Sequence, residues 1–206
     1  MAWIFNLVLD VIANIVAYIT NPIVCLFANE VGQLPHCFRW WQTYDNPLDI
    51  RWMVTDGIVP KIFRYDFDKH YVYVKENHKT GGNGYVTLLD DNFTIKEKIQ
   101  RYFCRLAWMY RNTAYGFSYE VNGRYVCGGL MSILVDDNED GNRVWISVDN
   151  GKSIFTRTWC VYIKKNWCKH FYIKVFLGWK CQGMYTGDNQ RCMFACNINP
   201  FRKRRD

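Results

Sequence analysis

The first 28 residues form an apolar run in which polar side chains recur at every fourth position. The only charged side chain in this run is Asp10, and Asn6, Asn14 and Tyr18 flank it at intervals of four. Side chains four apart lie on the same side of a helix, so the pattern predicts an apolar helix with one polar stripe. The stripe has to face something polar, whatever surrounds the rest of the helix.

This run is also long enough to meet a membrane. Residues 2–19 would reach about 27 Å as a helix, against a hydrocarbon core of about 30 Å. Pro22 interrupts helical continuation, so a helix–kink–helix hairpin fits as well as one span. An Asp near the bilayer centre costs about 2.5 to 3.5 kcal/mol, so the stripe must face sister helices, the folded chain or lipid headgroups. A core helix with satisfied polar groups fits the same pattern.

Aromatic and basic residues follow directly, in residues 36–52. This stretch holds Arg39, Trp40, Trp41, Tyr44 and Trp52. Trp and Tyr beside cations are typical of the membrane–water interface, and an aromatic-rich core edge has the same composition. We therefore predict a membrane-associating segment, residues 1–30, ahead of a domain covering residues 31–206. The residues predicted to make membrane or helix-packing contacts are Asn6, Asp10, Asn14, Tyr18, Trp40 and Trp41.

A second helix is predicted over residues 94–111. Thr94 and Glu97 have the spacing of a capping box, in which each side chain bonds the backbone of the other residue. Its predicted apolar face, at helical spacing, consists of Ile95, Ile99, Tyr102, Phe103, Leu106 and Tyr110. The predicted basic outer side consists of Lys98, Arg101, Arg105 and Arg111. That side is either a solvated face or a phosphate-binding one.

Short strand-like runs separated by turns dominate residues 115–198. They read "YGFSYEV", "RYVCGGLMSIL", "RVWISV", "SIFTRTWCVYI", "HFYIKVFLGW" and "RCMFACNI", after an earlier strand at residues 71–74. Neighbouring runs joined by short turns form antiparallel pairs. The predicted fold class is α+β: an apolar N-terminal helix or helical hairpin, a mixed middle region and a mostly antiparallel C-terminal β-sheet.

Positive charge is concentrated in the last quarter of the chain. The net charge is +7; residues 151–206 contribute 12 Lys and Arg against 2 Asp, or +10, which leaves −3 for residues 1–150. A basic surface attracts anionic phospholipid, nucleic acid or an acidic protein. The predicted anion-binding surface consists of Lys98, Arg101, Arg105, Lys164, Lys165, Lys169, Lys174, Arg202, Lys203, Arg204 and Arg205.

Two metal-binding patterns occur in the sequence, and both are incomplete. Asp136, Asn138 and Asp140 begin a calcium-loop pattern, but Ser147 stands where the twelfth-position Glu belongs, and an acidic hairpin turn explains the same residues. The clustered cysteines, Cys160, Cys168, Cys181, Cys192 and Cys196, lack zinc-finger spacing and fit reduced thiols of a cytosolic protein. We predict no cofactor.

Catalytic motifs are absent from the sequence. The four His residues accompany no nucleophile elbow, metalloprotease motif or phosphate-binding loop. Asp66, Asp68 and His70 form the best carboxylate–imidazole group, and on a strand they would share one face, as on an exposed polar edge. The prediction is a protein that is not an enzyme.

Several phrases, in order, are similar to those of a known family. "ITNPIVCLFANEVGQLP", "RWWQTYDNPLD", "YRNTAYGF", "LGWK" and "MFACNINPF" resemble a family of small uncharacterised proteins of tailed bacteriophages. The resemblance touches both ends and the middle of the chain. It implies a viral origin and action in a bacterial host or in the virion, and no catalytic residue.

Together these patterns predict a phage-encoded, non-enzymatic protein at the host inner membrane, with most of the chain in the cytoplasm. There it would modify the envelope or bind a host component. One alternative is a structural or injected virion component that contacts other subunits or DNA, and another is a soluble inhibitor of a host nucleic-acid enzyme. The expected partners are anionic phospholipid, a host or virion protein, nucleic acid, or a second copy bound through the N-terminal helix.

Overall fold

The protein has an α+β fold, described here by a computed structural model for residues 2–43, 46–51, 54, 59–74, 85–126, 131–137, 142–147, 158–166, 171–179 and 190–203. The helices are α1 (Ala2–Val24), α2 (Phe67–His70), α3 (Ile95–Arg111) and α4 (Tyr115–Glu120). Short 3-10 helices cover Cys25–Phe27, His36–Trp41 and Lys61–Phe63. The strands are β1 (Tyr71–Val74), β2 (Tyr85–Leu88), β3 (Arg124–Val126), β4 (Met131–Asp137), β5 (Asn142–Ser147), β6 (Thr158–Asn166), β7 (Phe171–Trp179), β8 (Gln190–Cys192) and β9 (Phe194–Lys203).

The chain divides into two compact units. The middle unit is Ala13–Phe117, and the sheet unit combines Met1–Ile12 with Ser118–Asp206. Helix α1 therefore contributes its first half to the sheet unit and its second half to the middle unit. Residue 30, the predicted boundary, lies inside the middle unit.

Helix α1 is continuous through Pro22, so the predicted helical hairpin is wrong. A proline in a helix has no N–H to donate to the carbonyl four residues earlier. In the middle unit the hydroxyl of Tyr110 donates to that carbonyl, Tyr18 O, at 3.3 Å. The hydroxyl of Tyr102 donates to the carbonyl of Pro22 itself at 3.0 Å. Because α3 satisfies these carbonyls from the side, the helix passes the proline without turning back.

Helix α3 has the predicted capping box but a different buried side. Thr94 and Glu97 each bond the backbone of the other residue, as predicted. However, Ile95 is 80% exposed, and Ile99 and Phe103 are exposed as well. The residues that α3 buries are Gln100, Cys104, Arg105, Trp108 and Met109. The predicted face is partly wrong: Tyr102 and Leu106 pack against the core, but the buried side is centred almost half a turn away, where Arg105 pairs with the buried carboxylate of Asp49.

The middle unit buries one apolar core between α3 and the segments around it. Leu48, Tyr71, Trp108 and Met109 are among its most buried members. Strands β1 and β2 form an antiparallel pair beside it. Asp66, Asp68 and His70 do not share a strand face, because residues 67–70 are helical and Asp66 caps them by accepting from the amide of Lys69.

The sheet unit contains a five-stranded antiparallel sheet in the order β4-β5-β6-β7-β9, and a separate β3–β8 pair. Four of the five strands are neighbours in sequence, as predicted. Its core joins Cys160, Phe176, Trp179, Phe194 and Ala195 to Trp3 and Leu7 of α1.

The segment "YGFSYEV" is helical in α4, so its prediction as a strand is wrong. Tertiary contacts override its aromatic alternation. In the middle unit, a Cβ atom on Gly116 would come within 2.3 Å of the Arg39 carbonyl, so only glycine fits this approach. In the sheet unit, the helical turn buries Ser118 beside Asp10.

Candidate functional site

The most unusual surface of the described structure is the outward side of α1, which is aliphatic over its whole length. Ile19 is 72% exposed and Phe5 is 64% exposed. The outward residues are Ile4, Phe5, Val8, Val11, Ile12, Ile15, Val16, Ile19 and Ile23. At about 100° per residue they cover an arc of about 140°. We call these residues the apolar face; Leu26 and Phe27 of the following 3-10 helix, both exposed, extend it.

The opposite side of α1 packs against the protein and carries the polar groups. Its residues alternate at spacings of four and three: Trp3, Leu7, Asp10, Asn14, Ala17, Asn21 and Val24. Those at positions 10, 17, 21 and 24 are buried and the other three are half-buried. We call this set the inner row. An ordinary surface helix turns its apolar side to the core and its polar side outward, so α1 is reversed in the placement of its polar groups, although Trp3, Leu7 and Val24 also pack in apolar cores.

Asp10 is satisfied inside the sheet unit. It is 1% exposed, and the hydroxyl of Ser118 donates a hydrogen bond to its carboxylate. Nearby, the side-chain amide of Asn122 donates to the carbonyl of Asn6 at 3.1 Å, and the indole of Trp179 donates to the carbonyl of Asn122 at 2.9 Å. Burial, and secondarily the charge of Asp10, raises the pKa of the Cys196 thiol. The first half of α1 is therefore fixed by polar contacts.

The predicted stripe coincides with the inner row for part of its length. Asp10 and Asn14 belong to the row and Asn6 is half-buried beside it, but Tyr18 is 53% exposed. Steps of four exceed one helical turn of 3.6 residues, so a four-residue stripe rotates by about 120° between positions 6 and 18. Sequence reasoning missed Asn21, which is fully buried and has no side-chain hydrogen-bond partner within the described residues. The alternating three–four spacing would have identified it.

The second half of α1 is held by hydrogen bonds within the middle unit. The indole of Trp41 donates to Thr20 Oγ1 at 2.7 Å. The rings of Tyr18 and Tyr110 stack at 5.6 Å. With the Tyr110 and Tyr102 bonds to α1 carbonyls, these contacts fix which side of the helix faces outward.

The predicted aromatic stretch lies beside this end of α1. Trp41 is half-buried by its contact with Thr20, whereas Trp40 is 44% exposed. Arg39 is exposed and its Nη1 lies 2.9 Å from Nε2 of His36. Tyr44 and Trp52 lie outside the described residues. An exposed cation and an exposed Trp therefore directly precede Trp41, the residue that contacts α1.

Helix α1 is long and apolar enough to cross a membrane. Its 23 residues span about 34 Å. Length and composition also fit a signal sequence or a soluble core helix. Only 22% of its most apolar window is buried, however, so α1 is not enclosed by the part of the chain that the structure describes.

The cations predicted on α3 fall into two groups. Lys98 is exposed, but Arg105 is buried and Arg101 nearly so, which removes both from the predicted anion-binding surface. Arg105 donates from Nε to Asp49 Oδ1 at 2.9 Å and from Nη2 to Oδ2 at 2.5 Å. Burial opposes the charge on Arg105, but the hydrogen bonds and charge of Asp49 raise its pKa overall. Asp49 already serves as the counter-charge of both arginines, so neither needs an anion from outside the protein.

Tyrosines close the remaining sides of Asp49. The hydroxyl of Tyr71 donates to Asp49 Oδ2 at 3.0 Å. Burial first, and the charge of Asp49 second, raise the pKa of both Tyr71 and Tyr65. Arg105 also donates to the carbonyl of Asn29 at 2.7 Å. The cluster ties the chain after α1 to α3, which is a structural role.

His70 and Glu97 form a second polar cluster in the middle unit. His70 is fully buried, with Nδ1 3.0 Å from the Asp90 carbonyl and Nε2 3.2 Å from Glu97 Oε1. Hydrogen bonds from the backbone and side chain of Thr94, then those of Lys69 and His70, lower the pKa of Glu97. His70 stacks on Phe93 at 3.8 Å. None of these contacts involves a Ser, Cys or Thr side chain, and Glu97 also belongs to the capping box of α3.

The basic residues of the sheet occupy both of its faces. Lys164 and Lys174 are half-buried and directly opposite each other, while Lys165 is exposed. Arg202 and Lys203 lie in β9. Lys169, Arg204 and Arg205 are outside the described residues.

No three His, Cys, Asp or Glu side chains within the described ranges are placed to hold a metal ion. Asp136 lies in β4, opposite Arg143 of β5. Asn138 and Asp140, the other calcium candidates, are outside those ranges. Among the cysteines, Cys160 is buried and Cys196 half-buried.

The chain belongs to a family of unknown function, DUF7338, which matches residues 1–206. No curated protein and no solved structure matches the chain.

Proposed function

We propose that this is a non-enzymatic protein that binds the surface of the host inner membrane, with the apolar face of α1 buried in the bilayer. The observation that supports this most strongly is the reversal of α1: its polar groups are turned into the protein and its aliphatic groups outward. Charged side chains do not occur on the apolar face, so nothing charged would have to enter the acyl region.

The packing of α1 favours a helix that lies in the plane of the membrane. A spanning helix would have lipid on all sides, unless its neighbours entered the bilayer with it. Helix α1 is in contact with folded chain in both halves, through Ser118 in the sheet unit and through Trp41, Tyr102 and Tyr110 in the middle unit. Lying flat preserves those contacts and exposes only the apolar face to lipid.

Burial of the apolar face would supply a large driving force. Complete burial of one Val, Ile or Phe side chain is worth about 1.5 to 3 kcal/mol. Nine such side chains on the face are at least 39% exposed. Even half of the full value for each gives about 7 to 13 kcal/mol before the cost of immobilising the protein. A membrane surface is a sufficient partner for this area.

Charge supports the inner leaflet as the site of binding. Arg39 and Trp40 are exposed and directly precede Trp41, whose indole bonds Thr20 of α1, and interfacial aromatic residues and cations of this kind act as membrane anchors. Each cation close to an anionic leaflet contributes about 1 kcal/mol. The +10 charge of residues 151–206 acts in the same direction.

The biological setting is part of the proposal. The phrases that resemble tailed-bacteriophage proteins support expression during infection, where the protein would modify the envelope or bind a host component. A virion component is the second candidate, because an exposed aliphatic helix also fits a neighbouring protein subunit. Purified particles distinguish the two: stoichiometric amounts in the virion favour the second.

Flotation and tag protection test the membrane proposal. The full chain should float with vesicles containing phosphatidylglycerol and be depleted from the detergent-free soluble fraction of cells. Epitope tags at both termini should be digested by protease in inside-out vesicles and protected in spheroplasts, because an in-plane helix keeps both ends on the cytoplasmic side. Quantitative recovery in the soluble fraction would refute membrane binding. Tags on opposite sides would refute the in-plane arrangement and establish a span.

A further inference from the structure

A second surface, chemically distinct from α1, lies on one face of the five-stranded sheet. Lys164 of β6 is directly opposite Lys174 of β7, and Asn166 is opposite Tyr172. Tyr162, two residues before Lys164, is opposite Phe176. Residues that are opposite each other, or two apart on a strand, share a face of the sheet. We call Tyr162, Lys164, Tyr172 and Lys174 the lysine–tyrosine ladder.

Each lysine of the ladder is held against a ring on the neighbouring strand. Lys164 Nζ lies 5.0 Å from the ring centroid of Tyr172, and Lys174 Nζ lies 5.5 Å from that of Tyr162. Two like charges placed directly opposite repel each other, whereas the ring faces attract both. The result is a fixed concentration of positive charge and aromatic surface, supported by strands rather than by a loop.

The strands on either side continue this composition. Arg143 of β5 is the position opposite Tyr162, and Arg202 of β9 is the position opposite Tyr172. The paired positions on this face of β5, β6, β7 and β9 include four cations and no Asp or Glu. With strands about 4.8 Å apart, the four strands form a strip about 14 Å wide.

One end of this face is closed and the other is accessible. Cys160 and Phe176 are buried with Trp3 and Leu7, at the core end. Along the strands away from that core, the four ladder residues are half-buried and Asn166 is exposed. The reverse face has a different character, since Ile163, Val175 and Ile198 are in register there. The reverse face also carries Lys165 and Lys203, but the pairing of each lysine with a tyrosine ring belongs to the ladder face.

We infer that the lysine–tyrosine ladder binds single-stranded nucleic acid, with the lysines contacting phosphates and the tyrosine rings stacking on unpaired bases. Open sheet faces with aromatic residues suit single strands, because a duplex keeps its bases stacked and out of reach. Lipid headgroups would use only the charges of the ladder, whereas a single strand would also use its tyrosine rings for stacking. This inference does not depend on the membrane proposal.

Fluorescence anisotropy with a labelled 20-nucleotide single strand tests it, using the full chain in a non-ionic detergent and a series of salt concentrations. K164Q/K174Q removes two phosphate contacts, so the slope of log K against log salt should fall by about 1.4. Y172A should weaken binding about 5- to 150-fold without changing that slope, because it removes stacking and no charge. Y172F keeps the ring and should bind like the unmodified chain.

The matched control is K98Q/K165Q, which removes the same net charge from an exposed site on α3 and from the reverse face of β6. It should leave the salt slope within about 0.3 of the unmodified value, and circular dichroism melts should show all variants folded. Equal slopes for the two double variants, or wild-type binding by Y172A, would overturn the inference. Loss of binding to phosphatidylglycerol vesicles by K164Q/K174Q, with single-strand binding unchanged, would overturn it in favour of lipid headgroups.

Discussion

Helices α1 and α3 both expose large apolar side chains, but the exposed side chains beside them differ in charge. On α3, Ile95 and Ile99 are exposed beside Lys96 and Lys98, which are exposed too. On α1 the exposed arc contains no charge over 23 residues. Scattered apolar residues on a surface are ordinary, whereas a continuous uncharged arc indicates a partner or a membrane. The difference shows that the absence of charge, more than exposure itself, distinguishes α1.

The two helices also solve the same problem of a buried charge in different ways. Arg105 of α3 is paired with a full opposite charge, Asp49. Asp10 of α1 accepts a hydrogen bond from the neutral hydroxyl of Ser118. Removing a partner should therefore be more costly in α3 than in α1, because loss of Asp49 removes the whole counter-charge of Arg105, whereas loss of the Ser118 hydroxyl removes one hydrogen bond from a neutral donor.

The largest effect is expected for Asp49→Asn, which leaves Arg105 buried without a counter-charge. The free energy of unfolding should fall by about 3 to 5 kcal/mol, measured by urea denaturation in detergent. The control is Asp68→Asn, which breaks the exposed pair with Arg51 and should cost no more than about 1 kcal/mol. Similar losses for both variants would contradict the assignment of Asp49 as the centre of the cluster.

The next effect concerns membrane binding rather than folding. Ile15→Asn with Ile19→Asn replaces two exposed residues of the apolar face and should weaken vesicle partitioning by about 2 to 4 kcal/mol, or about 30- to 700-fold. Stability should change little, because both side chains already face outward.

The matched control is Ile62→Asn with Ile95→Asn, which makes the same chemical change at two exposed positions of the middle unit. Sedimentation with phosphatidylglycerol vesicles should show binding close to that of the unmodified chain. Equal losses in the two double variants would mean that general surface hydrophobicity, and not α1, drives the association.

A smaller effect is expected for Ser118→Ala, which removes the hydroxyl that donates to Asp10. The unfolding free energy should fall by about 1.5 to 3 kcal/mol, the usual range for a hydrogen bond to a charged group. Ser118→Thr keeps a hydroxyl and should recover part of the loss. A Ser118→Ala variant as stable as the unmodified chain would show that the inner row does not depend on this bond.

The smallest effect concerns the cap of α3. Thr94→Ala should lower the free energy of unfolding by about 1 kcal/mol, because it removes the capping hydroxyl.

The pKa of Glu97 is lowered in the folded protein, so its ionised form contributes stability above its ordinary pKa of 4.5, and this contribution is lost as pH falls below that value. In Glu97→Gln, unfolding monitored from pH 6 to pH 3 should therefore show a shallower acid-side decline. An unchanged decline would contradict the lowered pKa.

Local signals in the sequence were sufficient for several elements. The capping box at Thr94 and Glu97, the strand at residues 71–74 and the succession of antiparallel strands depend on neighbours in the chain. The apolar opening helix follows from composition, and its polar stripe located Asp10 and Asn14 on the protein side. These features are determined by spacing within one element, which a sequence states directly.

What only the tertiary structure decided was which contacts those elements make over long distances in the chain. Arg105 was assigned to a basic surface because its partner, Asp49, lies 56 residues away. The segment around Ser118 becomes helical, and α1 passes Pro22, because distant side chains satisfy their polar groups. The alternation of hydrophobic and polar residues predicts the type of element and which of its residues share a face. The energy of burying a charge or an unpaired carbonyl, settled by a partner far along the chain, decides which face that is.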